Sequence, residues 1–206
     1  MAFPNRRFAD IGSFLDDYAR ELQKAAASID RKAMSAAAAE IDRAISRDSW
    51  IYACGNGGST AIANHLICDF MKGIQTGTGR LPRVASLAST IELITAIGND
   101  LSFDDIFVYQ LATIARPGDV LLSISSSGNS ENIVRAVRWA KDHGVATIAL
   151  TGFDGGRSAK LADINIHVSA MNYGVVEDTH QSIMHVFAQY IRQSGMTVND
   201  IASSKF

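Results

Sequence analysis

The sequence predicts an α/β fold: a five-stranded parallel sheet covered by helices on both faces, preceded by an N-terminal helical arm. Three observations carry this expectation. After Ser46, short apolar runs alternate with segments of helical periodicity, the pattern of strand–helix–strand units. Runs such as Val145–Leu150 are almost continuously apolar, which suits strands buried on both sides. Two glycine- and serine-rich loops each join the end of such a run to the start of a helix, the place where open α/β sheets bind ligands.

Taken in order, residues 7 to about 47 read as helix. Leu15, Tyr18, Leu22, Ala25 and Ile29 recur at helical spacing, as do Ala36, Ile41 and Ile45. Scarce Gly and Pro predict two helices with little loop between them. Trp50–Ala53 reads as the first strand and Ser59 to about Lys72 as the next helix. Arg83–Leu87 reads as a second strand, after a loop marked by Gly77, Gly79 and Pro82. Helical patterns follow at 90–97 and 103–115. Asp119–Ile124 is the clearest strand, followed by a helix through Trp139; Val145–Leu150 and Ile164–Val168 complete the sheet. The last helix runs from about Val175 to Gln193. The glycine-rich stretch Gln75–Arg80 has no evident role.

Of 206 residues, 47% are hydrophobic, enough for a real core and against global disorder. With 19 basic and 21 acidic residues the net charge is -2, which argues against a general nucleic-acid binder. No apolar run reaches membrane-span length. Met1–Arg7 leads into Asp10, Asp16 and Asp17 with no apolar signal region, so a cytoplasmic location is expected. Cys54 and Cys68 fit two reduced thiols better than a redox pair. With no repeat, low-complexity tract or linker, a single domain over 1–206 is expected, its helices at 1–47 packed on the sheet core at 48–206 or on a partner subunit.

The two loops are Cys54-Gly55-Asn56-Gly57-Gly58-Ser59 and Ser125-Ser126-Ser127-Gly128-Asn129-Ser130. A helix N-terminus offers unpaired N–H groups, glycines allow close approach, and serine hydroxyls add donors, a combination that suits phosphate. Five serines fall between Ser123 and Ser130. The competing reading is two tight turns with N-capping serines. In a sheet of order 2-1-3-4-5, strands one and three flank the crevice where ligands bind, which favours phosphate. A dinucleotide fits poorly: Thr60 stands where the third glycine belongs, and no acid closes the second strand. No lysine lies in either loop, which argues against a nucleoside-triphosphate P-loop.

These loops, together with Ala96-Ile97-Gly98-Asn99-Asp100 and Leu150-Thr151-Gly152-Phe153-Asp154-Gly155-Gly156, resemble the sugar isomerase (SIS) domain, and more narrowly the phosphoheptose isomerases. The likeness covers nearly the whole chain. It implies a flavodoxin-like core in a homotetramer with sites between subunits. It also implies interconversion of sedoheptulose 7-phosphate and D-glycero-D-manno-heptose 7-phosphate, usually with zinc, on the route to the lipopolysaccharide core. Carried onto matching positions, Ser59, Ser125, Ser126, Ser127 and Ser130 would bind the phosphate. Asn56, Gly57, Gly58, Asn99 and Asp100 would line the sugar site.

Aldose–ketose isomerisation needs a base to move a proton between adjacent carbons and an acid or metal to handle the oxygens. His65 and Asp69 are four apart on the first post-loop helix and share a face. Glu177 and His185 lie on the last helix, about 80° apart around its axis. The resemblance makes His65, Asp69, Glu177 and His185 the zinc ligands, with Asp69 also the base and His185 the acid. Two of the four depart from the family pattern, in which Asp69 is Glu and Glu177 is Gln. An acid found in some members three residues before Glu177 is Gly174 here. The imidazole of His185 sits among Ile183, Met184, Val186 and Phe187, an awkward place for an unpaired ring. His180 is a second candidate on that helix, while His143 and His167 read as structural. Two functions remain open at this point: an isomerase on this or another ketose–aldose phosphate, or a non-catalytic SIS module that binds a phosphosugar or a replication initiator as a regulator.

Overall fold

The computed structural model describes residues 3–206. The arm is two helices, α1 (Ile11–Ser28) and α2 (Arg31–Ser46). Asp10 and Asp30 cap them, accepting from the Ser13 and Lys32 amides. Then follow β1 (Trp50–Gly55), α3 (Gly58–Cys68), β2 (Arg83–Ser86), α4 (Ile91–Asp100), α5 (Val108–Ile114), β3 (Val120–Ser125) and α6 (Glu131–Asp142). The chain closes with β4 (Ala146–Thr151), α7 (Gly156–Leu161), β5 (Ile164–His167), α8 (Tyr173–Ser194) and α9 (Val198–Ser203). The five strands form one sheet of order β2-β1-β3-β4-β5, every pair parallel.

Alternation along the strands feeds two cores. On β1, Ile51 and Ala53 enter the layer under α2, α3 and α8 with Ile41, Leu66, Phe70 and Phe187. Tyr52 and Cys54 point the other way, joining Leu87, Phe107, Leu111 and Val137. β3 divides likewise, Leu122 and Ile124 against Leu121. Burying each large side chain stabilises the fold by about 1.5–3 kcal/mol, so both layers hold the sheet. The strand ends carrying Gly55 and Ser125 are thereby fixed side by side, Gly55 opposite Ile124 in the register.

The structure differs from the sequence expectation in four places. The arm starts at Ile11 rather than residue 7. The helix expected to reach Lys72 stays α-helical only to Cys68, then widens into a π-helical segment, Asp69–Ile74, that buries Phe70 and Ile74. The helix expected at 90–97 continues to Asp100. The six-residue helices α7 and α9 have no counterpart in the sequence pattern, being too short to show a period. Loop 75–80 has a structural tie: Arg192 donates to the Thr76 carbonyl at 3.0 Å and to that of Lys205 at 3.0 Å. Among the described residues no helix is long and apolar enough to cross a membrane.

Candidate active site

The two loops meet over the β1/β3 crevice. Asn56, Ser59, Ser125, Ser126, Ser127, Ser130, Tyr173 and Glu177 line a pocket of about 130 Å³. That is below the roughly 300 Å³ of an ordinary small-molecule site, so the pocket has room for only one end of such a ligand. The capping explanation for the serines does not hold. Ser130 makes no side-chain cap bond to α6, and the N-cap of α3 is Gly57. The Ser126 hydroxyl is buried with no partner among the described residues, a group that costs stability while it stays unpaired. Ser125 and Ser127 instead accept from the Gly128 and Asn129 amides, at 3.1 and 3.3 Å, and shape the loop.

Two residues outside the sequence expectation, Asn132 and Arg157, hold these loops. Asn132 and Asn56 exchange amide hydrogen bonds, both 2.9 Å, which joins the first loop to the start of α6. Arg157 donates to the Asn129 carbonyl at 2.6 Å and to Glu131 at 2.7 Å. Arg157 and Arg135 together hold the Glu131 carboxyl below its ordinary range. Gly128 has φ +62°, and a Cβ there would come within 2.0 Å of the Gly155 carbonyl oxygen. Gly128→Ala is therefore expected to weaken binding of inorganic phosphate at least about tenfold, since left-handed alanine alone costs roughly 1–2 kcal/mol. Titration calorimetry checks this; unchanged affinity would show that the loop's shape is not what binds.

Glu177 projects from α8 over the start of α3. A Cβ on Gly58 would lie 2.3 Å from its carboxylate oxygen. Burial first, and the charge of Asp178 second, raise the Glu177 carboxyl above its ordinary range. The neighbouring space that a side chain at position 174 would take holds the Tyr18 hydroxyl, 2.8 Å from an ideal Cβ. That hydroxyl donates to Asp178 at 2.6 Å, so the arm docks beside the site. Burial, the hydrogen bond and the two acids raise the Tyr18 phenol as well.

Further along the same two helices lies a second cluster. His65 Nε2 is 3.3 Å from Asp69 Oδ1, and His185 Nδ1 is 2.6 Å from Asp69 Oδ2. One ligand atom from each of the three lies within 4.8 Å of the others. The i, i+4 spacing on α3 and the π-helical widening at Asp69 place them, a kind of turn frequent at functional sites. Glu177, expected as the fourth ligand, is not a member of this cluster. The reason is its position on α8: it stands two turns before His185, level with Gly58.

Asn99 and Asp100, expected at the sugar site, do not line the serine pocket of their own chain. They end α4, exposed, with Asn99 donating to Asp100 at 2.8 Å. His180 is fully buried with both ring nitrogens unpaired and is not among the cluster residues. His143 Nδ1 lies 2.7 Å from the Trp139 carbonyl and His167 Nδ1 3.2 Å from the Thr151 hydroxyl. Cys54 is buried and Cys68 exposed, both unpaired thiols.

Comparison with known proteins agrees with this arrangement. The sequence pattern of the SIS domain matches residues 13–152. A phosphoheptose isomerase from Nitratidesulfovibrio vulgaris (strain Hildenborough) is 45% identical over 133 residues, 65% of this chain and 64% of that one. One from Rhodospirillum rubrum is 34% identical over 162 residues, covering 79% of this chain and 86% of that one. The solved phosphoheptose isomerase of Neisseria gonorrhoeae superposes with a TM-score of 0.80 at 32% identity, over 89% of this chain and 97% of that one. The serine loops, the 2-1-3-4-5 sheet and these alignments together place the chain in the SIS domain family, within its phosphoheptose isomerase branch.

Proposed function

We propose that this chain interconverts sedoheptulose 7-phosphate and D-glycero-D-manno-heptose 7-phosphate. The observation that carries this reading is the spacing of the two half-sites. Gly58 meets Glu177, and His65 and Asp69 meet His185, so α3 and α8 run side by side in one direction. From Ser59 to His65 and Asp69 is six to ten residues of helix, about 10–15 Å of rise. A seven-carbon sugar anchored by its terminal phosphate reaches across a gap of that order.

In this reading Ser59, Ser125, Ser126, Ser127 and Ser130, with the N–H groups that open α3 and α6, hold the phosphate. The sugar lies along the groove between α3 and α8. Asp69 takes the proton from C1 of the ketose and returns it to C2, through an enediol. His185 moves the proton between the two oxygens. Two imidazoles and a carboxylate fit the three-ligand pattern of a catalytic zinc site. His65, Asp69 and His185 would hold such a cation, which when bound would polarise the sugar oxygens. Asn99 and Asp100 would then act on a neighbouring subunit of a homotetramer, beside whose interface the apolar faces of α2 and α8 (Met34, Val186, Tyr190) would be covered.

The test is turnover of sedoheptulose 7-phosphate by chelator-treated protein, with and without added zinc, reading the aldose product. Zinc-dependent turnover is expected. Saturable binding without product under both conditions would overturn the isomerase and favour a phosphosugar-binding regulator. The position of Glu177 outside the cluster is the observation that favours this second reading.

A further inference from the structure

His185 is held at both edges of its ring. Nδ1 faces Asp69 Oδ2 at 2.6 Å, and Nε2 faces the side-chain amide nitrogen of Gln181 at 2.9 Å. Gln181 lies one turn earlier on α8, on the same face. An amide nitrogen donates and does not accept. With the amide oriented so, Nε2 must accept, and the neutral ring carries its proton on Nδ1, donating it to Asp69. Turning the amide over exchanges nitrogen for oxygen. Nε2 must then carry the proton, and Nδ1 gives up its hydrogen bond to Asp69, leaving a lone pair that only a cation between them would satisfy. The His65 ring stands nearly perpendicular to that of His185, 84° between planes with centroids 5.2 Å apart, so the Nδ1 edge opens onto the cluster.

We propose that Gln181 is a positioning residue that selects the tautomer of His185. Its amide nitrogen sets the form with a proton at Nδ1, the form that can act as an acid. Its amide oxygen sets the form with a lone pair at Nδ1, the form that can ligate a cation. No other standard side chain of this length offers both a donor and an acceptor. A leucine in its place would support neither, and a glutamate in its ionised form would only accept. The inference rests on His185 acting at the site, but its spectroscopic part stands apart from the isomerase reading.

The measurement is the ¹⁵N spectrum of the imidazoles, with His185 assigned, in the metal-free full-length protein. Wild type is expected to show His185 protonated at Nδ1. Gln181→Glu puts an acceptor at each edge of the ring and is expected to protonate Nε2 while Nδ1 keeps its proton on Asp69, so that zinc affinity and kcat each fall tenfold or more with little change in KM. Gln181→Leu is expected to mix the tautomers and weaken zinc binding by about 10–100-fold, the usual effect of losing a ligand's outer partner. Wild-type His185 protonated at Nε2, or an unchanged spectrum in Gln181→Glu, overturns the proposal. Should Gln181→Leu fail to fold, Gln181→Glu decides alone, because an amide with a merely structural role would be replaced without changing the protonation of the ring. If wild type binds no zinc, the cation reading fails while the tautomer result still judges Gln181.

Discussion

Asp69→Asn and His185→Gln are each expected to lower kcat for sedoheptulose 7-phosphate by about 10²–10⁴-fold, the usual weight of a positioned acid or base. KM should move little, because neither group touches the phosphate pocket and both act mainly in the transition state. Asparagine keeps the size of Asp69 and one of its two acceptor oxygens but cannot take a carbon-bound proton. Glutamine keeps a polar group near Asp69 but cannot exchange a proton between two oxygens. The two residues share a 2.6 Å hydrogen bond, so the double variant should lose little more than either single one, as groups that work as a unit do. Asp69→Glu, one methylene longer, should keep turnover within about tenfold. Steady-state kinetics of the four variants decides the matter. Asp69→Asn or His185→Gln within threefold of wild-type kcat would remove that residue from the chemistry.

The parts of this molecule legible in its sequence are those that depend on short-range pattern. Val145–Leu150 reads as a buried strand because a parallel strand covered on both faces needs apolar residues at every position, and β4 occupies 146–151. The serine loops read as an anion site because loop composition at a strand end needs no knowledge of distant residues. His65 and Asp69 could be paired from their spacing alone. What the sequence did not carry is reach across the fold. Asn132 finds Asn56 from 76 residues away, and Tyr18 finds Asp178 from 160. Neither shows in any local period. Glu177 and Gln181 are one turn apart on α8, and only the packing of α8 on α3 decides which stands beside His185. The π-helical turn at Asp69 is hidden for a similar reason: its buried residues, Phe70 and Ile74, are spaced as in an α-helix.

Acid is expected to unfold this protein through His180, and the sign follows from its surroundings. The ring is completely buried on the inner face of α8, with neither nitrogen hydrogen-bonded. Burial pushes its pKa down to about 4; the nearby Thr151 carbonyl opposes the shift without closing a hydrogen bond, and His167 adds to it. The unfolded chain, titrating near the ordinary 6.5, binds a proton that the folded chain refuses over that interval. Stability therefore stays complete above pH 6.5 and falls as pH drops toward 4, by about 3 kcal/mol over the window. His180→Leu removes this term. It is expected to be close to wild type at pH 7.5, because it replaces an unpaired imidazole with an apolar side chain of smaller but comparable bulk. Between pH 7.5 and 4.5 its stability should fall by about 2–3 kcal/mol less than that of wild type. Urea unfolding of both proteins at the two pH values measures the difference directly, since other carboxylates contribute equally to each. An equal loss in both would mean that the buried ring finds a partner or water on protonation, and that the acid sensitivity lies elsewhere.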